Sequence, residues 1–187
     1  MKMQARLHGF KHYYSTVEEF VLRLRPYIER KDFDVISDWI TGERAHAMWC
    51  ANLIHFPVER RNFGKVMQEF EDKFGDCPYV VTSDEGELIG FFCYSINLET
   101  NEGMLKFVMT SPEYRGKGYG KKMLQLAISY AFNITNVQAV QLNVFSENSH
   151  AKKCYESVGF TERKTDINAF AYKDELWGRC NMIIRKI

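Results

Sequence analysis

The chain has 187 residues, 45% of them hydrophobic and 14% aromatic, enough for one well-buried core. Its formal net charge is +1, so no global field draws it to nucleic acid or to an anionic membrane. Five widely spaced cysteines without a Cys-x-x-Cys argue against a disulfide framework or a zinc site; no apolar run reaches membrane-span length and no signal peptide is visible, which points to a reducing cytoplasm.

Residues 1–19 are polar and irregular and read as an N-terminal extension to one domain over residues 20–187. His8 and His12 stand at i,i+4 there, a metal pair that lacks a third ligand. Residues 20–27 alternate apolar and basic side chains, the pattern of a half-buried first strand. Residues 30–40 place Phe33, Ile36 and Ile40 on one helical face, and residues 43–50 form a second helical piece after the Thr41-Gly42 break. Trp39, Trp49, His46, His55 and Phe56 gather in this part; core packing accounts for at least one of the tryptophans. Residues 58–74 predict a third amphipathic helix, with Phe63, Val66, Met67, Phe70 and Phe74 inward and a charged face in solvent. Residues 77–82 and 88–96 read as strands joined by an Asp84-Glu85-Gly86 hairpin signal, and residues 97–103 are a second turn.

Residues 104–110 then form an apolar strand that Pro112 closes. Arg115-Gly116-Lys117-Gly118-Tyr119-Gly120 sets three glycines at alternate positions, and over residues 121–132 Leu124, Ala127, Ile128 and Ala131 recur at helical spacing. Such a turn presents successive N–H groups at a positive helix end, which is an anion site. Arg115, Lys117, Lys121 and Lys122 add charge beside it. The run lacks the Walker A spacing. It also misses the dinucleotide fingerprint Gly-x-Gly-x-x-Gly, because its third glycine comes one residue early. On these residues alone an ordinary strand–helix turn with solvated lysines stays open. Residues 138–145 predict a further strand. The helix between makes it parallel to the strand at 104–110, while the three strands before the helix form an antiparallel meander.

Asn148, Ala151, Tyr155, Gly159 and Phe160 follow as Asn-x-x-Ala-x-x-x-Tyr-x-x-x-Gly-Phe, about 30 residues after Arg-x-x-Gly-x-Gly, on a strand–helix–strand–helix unit. The two motifs together resemble the GNAT acetyltransferase superfamily, and within it the bacterial branch that includes ribosomal-protein N-acetyltransferases. The resemblance is specific over residues 104–160. It implies an α/β (α+β) fold, a single mixed, mostly antiparallel sheet of about seven strands whose parallel fourth and fifth strands splay around the cofactor, with helices on both faces. Residues 161–165 and 177–185 supply the last two strands, with a loop between them.

By that resemblance the cosubstrate is acetyl-coenzyme A. Its pyrophosphate is expected on Arg115, Gly116, Lys117, Gly118, Tyr119 and Gly120. Its pantetheine arm is expected along the strand edge at Val108, Met109 and Thr110, where an N–H can stabilise the developing oxyanion. Tyr155 is the implied general acid for the departing thiolate, with packing on Phe160 as the alternative. Asn148 is the implied cofactor partner, with a plain helix N-cap as the alternative; Cys154 reads as core. With a thiol near 8.5 and a phenol near 10, full proton transfer is uphill by about 2 kcal/mol. Either the pocket lowers the phenol, or Tyr155 only hydrogen-bonds the sulfur. Some relatives carry a glutamate base on the fifth strand; the corresponding position is Asn143, which leaves Glu43, Glu99, Glu102, His55 or a water chain. The expected reaction is acetyl transfer to a primary amine, on a small molecule or a protein N-terminus, by direct attack. No metal, nucleic-acid or membrane partner is expected, and a monomer or homodimer is. A non-catalytic coenzyme A sensor on the same fold is the alternative; an RNA-binding module is disfavoured by the near-neutral charge.

Overall fold

The computed structural model describes residues 21–187. The expected extension, the His8/His12 pair and Phe20 lie outside the described residues. Seven strands are seen among those described: β1 (Arg23–Pro26), β2 (Cys77–Thr82), β3 (Leu88–Asn97), β4 (Glu102–Thr110), β5 (Ala139–Phe145), β6 (Thr161–Tyr172) and β7 (Glu175–Arg185). They form one sheet in the order β1-β2-β3-β4-β5-β7-β6, antiparallel except for the β4–β5 pair. The expected mixed sheet is therefore present, with its parallel pair where the crossover helix requires it.

Five α-helices cover the sheet: α1 (Glu29–Asp38), α2 (Glu43–Cys50), α3 (Arg60–Phe74), α4 (Tyr119–Asn133) and α5 (Ser149–Glu156). Period-2 alternation along β3 sends neighbouring residues to opposite faces. Phe92 and Tyr94 pack with Met123, Leu124, Ala127 and Ala131 of α4 and Tyr155 of α5. Phe91 and Cys93 pack with Phe33 and Ile36 of α1 and Phe63 and Met67 of α3. The helical spacing read from residues 121–132 thus marks the buried face of α4, extended by Met123. Helix α3 stops at Gly75, whose φ of +68° makes the left-handed C-cap that glycine tolerates best.

The bounds of α2 and β2 coincide with the sequence expectation. The first strand, Arg23–Pro26, is shorter than expected. The clearest departure lies at the C-terminal end. Residues 166–176, expected as a loop, belong to a long β6–β7 hairpin that turns at Lys173, where φ is +51°. Trp177 on that hairpin is fully buried against Phe145, Tyr172 and Ala47 of α2. Cys50, Cys93 and Cys180 are buried as expected, but Cys77 is exposed and Cys154 half-buried. Among the described residues no helix is long and apolar enough to cross a membrane.

Candidate active site

The chain leaves β4 at Thr110, makes one 3-10 turn at Pro112–Tyr114 and enters α4 at Tyr119. Gly116 and Gly118 have φ of +72° and +84°, left-handed values that cost an L side chain about 1–2 kcal/mol. Gly118 is the N-cap of α4, and its carbonyl accepts the first helical bond from the Lys122 N–H at 3.1 Å. The N–H groups of Gly116, Lys117, Gly118, Gly120 and Lys121 have no backbone acceptor among the described residues. They stand at the positive end of the α4 dipole, flanked by the exposed Lys117, Lys121 and Lys122. Gly120 serves packing instead: a Cβ there would meet Cys154 Sγ and Thr110 Oγ1, each at 3.4 Å. That contact moves Cys154 out of the core and onto the seam between α5 and the loop. Arg115 Nε donates to the Thr110 carbonyl at 3.1 Å, and the Tyr114 hydroxyl donates to Glu87, so both ends of the turn are tied to the sheet.

β4 pairs with β5 only from Glu102 and Ala139 to Leu105 and Leu142. On its other edge Phe107 and Val108 together oppose Phe92, between the Cys93–Lys106 and Phe91–Met109 pairs. This is a β-bulge, and Phe107 adopts φ of +52° to make it. A bulge bends its strand and increases its twist, and past Leu105 the strand departs from β5. Residues 106–110 and 143–145 are left with no ladder bonds between them. Trp49 Nε1 donates to the Phe107 carbonyl at 2.8 Å and pins the bend. On the α2–α3 side of the gap lies a cavity of about 740 Å³, lined by Met104, Lys106, Gln141 and Asn143 from the strands and by Trp49 and Phe70 from the helices.

A family model described as "Acetyltransferase (GNAT) family" matches residues 23–160. The chain belongs to this acetyltransferase family. A spermine/spermidine N(1)-acetyltransferase of Bacillus subtilis is 33% identical over 82 residues, 41% of this chain and 54% of that protein. A 5-NmdU N-acetyltransferase of Pseudomonas phage PaMx11 is 32% identical over 81 residues, 43% of this chain and 55% of that one. The chain thus spans about half the length of these curated relatives. A spermidine N-acetyltransferase from Vibrio cholerae, solved in complex with CoA and spermine, superposes with a TM-score of 0.75 at 22% identity, over 88% of this chain and 95% of that one. That last likeness is one of fold. The superfamily expectation holds, while the finer likeness to ribosomal-protein acetyltransferases has no support in these matches.

In this GNAT chain the structure brings the two groups of expected cofactor residues together at the C-terminal end of β4. Arg115, Gly116, Lys117, Gly118, Tyr119 and Gly120 form the loop, and Val108, Met109 and Thr110 form the strand edge leading into it. The Met109 side chain is buried toward α1 and α3, so only its backbone faces the gap. Tyr155 belongs to the buried cluster that contains Leu105, Leu142 and Val144, the residues at which β4 and β5 part. Its ring meets Phe160 edge-on at 6.1 Å, and no described residue hydrogen-bonds its hydroxyl. Burial, with a lesser push from Cys154, raises its phenol above the ordinary value. That direction speaks against the reading in which the pocket lowers Tyr155, while the expected packing on Phe160 is present. Asn148 caps α5, its Oδ1 accepting the Ala151 N–H at 3.3 Å; its NH2 has no partner among the described residues.

The structure separates the candidate bases. Glu102 lines the cleft cavity, as does Asn143. Glu43 and His55 line a second cavity of about 370 Å³ instead, where Glu43 pairs with Lys173 at 2.9 Å, and Glu99 is exposed in the β3–β4 turn. Those three assignments are corrected. Sequence periodicity could not resolve them because each lies outside a regular element or on one whose packing partner was unknown. His46 is buried with Nε2 3.2 Å from Cys50 Sγ, and burial lowers its imidazole despite a hydrogen bond to Asn52. Trp39 is core, and Trp49 belongs to the cleft.

Two features of the cleft floor escaped the sequence reading. Glu102 is engaged by Gln141 Nε2 at 2.9 Å and by Arg163 at 3.3 Å, and Arg163 also donates to Gln141 and Asn181, each at 2.7 Å. Lys106 Nζ reaches Asp76 Oδ2 at 2.7 Å, under the rings of Phe70 and Phe74. A strand drawn from residue 102 would have put Glu102, Met104 and Lys106 on one face, which is the signal that the later start at residue 104 concealed.

Proposed function

We propose that this protein moves the acetyl group of acetyl-coenzyme A onto a primary amine by direct attack, within one domain that spans residues 20–187. The observation that carries this reading is the set of unengaged amides around the left-handed Gly116 and Gly118, next to the open edge of β4. The residues fit the cosubstrate: a diphosphate needs N–H donors and positive charge, and an amide-bearing arm needs a strand edge without a partner. When bound, acetyl-coenzyme A supplies an activated thioester. Amides of Gly116, Lys117, Gly118, Gly120 and Lys121 hold its diphosphate, and the edge at Val108, Met109 and Thr110 aligns the arm. An edge N–H stabilises charge developing on the carbonyl oxygen, worth roughly 3–4 kcal/mol in comparable sites. Tyr155 holds a proton toward the departing sulfur. The chain shows no nucleophile elbow, so attack falls to the amine itself.

The test is thiol release from acetyl-coenzyme A across a panel of primary amines, beside the thermal shift given by the cofactor alone. Release with at least one amine is expected. A shift without release from any amine identifies a sensor, and absence of a shift at millimolar cofactor overturns the reading altogether.

Tyr155→Phe is expected to lower turnover by about 10- to 150-fold, the worth of one hydrogen bond to a charged group. Its cofactor dissociation constant should stay within about twofold, because the phenol acts on the leaving sulfur and not on binding. A matching loss of affinity would reduce Tyr155 to a packing role.

The pH profile follows from the same two groups. Because the Tyr155 phenol is raised, it stays protonated beyond the ordinary value of about 10, so no alkaline decline enters below that pH. With the cleft carboxylate already held by Arg163, the amine must shed its own proton. kcat/KM is expected to climb about tenfold per pH unit and to flatten near pH 8 for an α-amine but above pH 10 for an alkylamine. A bend at one pH for both amines would reveal a base owned by the protein.

A further inference from the structure

The cleft cavity is that of a small-molecule site by size, about 740 Å³, and its wall is aromatic. Trp49, fixed by its bond to the Phe107 carbonyl, lies 6.0 Å from the Phe107 ring. Phe70 lies 5.3 Å from Phe107 and 5.4 Å from Phe74. At the rim Leu53 and Phe74 keep 54% and 45% of their surface exposed. Apolar groups left open at the mouth of a groove mark a place where an apolar ligand settles.

The charges on the floor point away from a polycation. Among the described residues lining this cavity Glu102 is the only carboxylate, and Arg163 already neutralises it at 3.3 Å. Two cations share the lining, Lys106, which is paired with Asp76 at 2.7 Å, and Arg179. Arg179 reaches Asp166 at 3.2 Å, but Asp166 also takes Lys164 at 2.6 Å, so no spare anion remains there. A chain of ammonium groups would therefore find no unengaged carboxylate among the described residues of this floor.

The unused hydrogen-bonding capacity is of the donor kind. Asn143 spends its carbonyl oxygen on Asn181 Nδ2 at 3.0 Å, and its own NH2 has no partner among the described residues. Arg179 is half-exposed, with N–H groups beyond the one given to Asp166. A ligand suited to this floor brings acceptor oxygens.

We infer that the acceptor is the α-amine of an aromatic amino acid, or of a chain beginning with one, and not a polyamine. The inference rests on the acetyl-transfer reading above. The ring lies on the Trp49–Phe70–Phe74 shelf, the neighbouring carbonyl or carboxylate takes the Asn143 and Arg179 donors, and the amine points to the gap between β4 and β5. An α-amine, near 8 against 10.4 for an alkylamine, also suits a cleft whose one carboxylate is engaged.

The experiment compares tryptophan, tryptophanamide and the dipeptide Trp-Gly with glycinamide and spermidine. Each is followed by thiol release with acetyl-coenzyme A and by calorimetry on the coenzyme A complex. At least one aromatic compound is expected to exceed both glycinamide and spermidine roughly tenfold or more, in kcat/KM and in affinity. Preference for free tryptophan identifies an amino acid, and parity of the dipeptide identifies a chain terminus. Phe74→Ala should cut the margin over glycinamide about tenfold, and Arg179→Glu should raise spermidine relative to tryptophan. Spermidine or glycinamide equal to the aromatic compounds in binding would overturn the inference while leaving acetyl transfer standing. Selective binding of the aromatic compounds without thiol release would uphold the occupant and overturn the transfer reading.

Discussion

Gly118→Glu is expected to erase the stabilisation that acetyl-coenzyme A gives the native protein. At a cofactor concentration about 100-fold above its dissociation constant, binding to the folded state alone adds about 2.7 kcal/mol. For a domain of this size that is a Tm rise of about 5–10 °C. In the variant the rise should be absent. The reason is local charge and not bulk: no atom lies within 4 Å of where a Cβ would sit on Gly118. The glutamate would place its own carboxylate beside the amides of residues 116–121 and repel the diphosphate. Its cost to the empty protein is the left-handed strain of about 1–2 kcal/mol, a Tm loss of only a few degrees. Gly118→Ala isolates that strain, and it should weaken binding without removing the shift. Thermal melts of the three proteins with and without cofactor decide the matter. A full shift in Gly118→Glu would mean that the loop amides do not hold the ligand.

The loop could be read so closely because its chemistry is local. Glycine at positions of positive φ, proline at a strand end and apolar residues at helical spacing each declare themselves within a few neighbours. The bounds of α2 and β2 came out unchanged for the same reason. What failed depends on partners far along the chain. Residues 166–176 read as a loop in the sequence because β6 buries almost nothing; they are strand through the β6–β7 ladder, and Trp177 supplies the burial. The bulge in β4 was invisible because Phe107, a residue that resists left-handed backbone, occupies the left-handed position. Only the count of pairs across β3 exposes it. The choice among Glu43, Glu99, Glu102 and His55 likewise turned on which face of which element closes the cleft, and that is settled by packing rather than by pattern.

Lys106→Met is expected to be the most damaging single change on the cleft floor. Asp76 is 1% exposed, and its Oδ2 is held by Lys106 at 2.7 Å while Oδ1 has no partner among the described residues. Removing the ammonium strands a buried carboxylate, a loss of about 3–5 kcal/mol. In a chain of this length that lowers Tm by about 6–20 °C. The damage comes from the charge left behind and not from the contact removed, because methionine keeps the stem packed under Phe70 and Phe74. Adding Asp76→Asn to Lys106→Met should therefore recover at least about half of the loss, and the double variant should be more stable than the single one. Urea unfolding of the wild type, both single variants and the double variant closes the cycle. If Lys106→Met alone costs under about 1 kcal/mol, the pair behaves as a surface ion pair. It would then be the bulge and the Trp49 bond, and not this charge pair, that hold β4 in its bent course beside the gap.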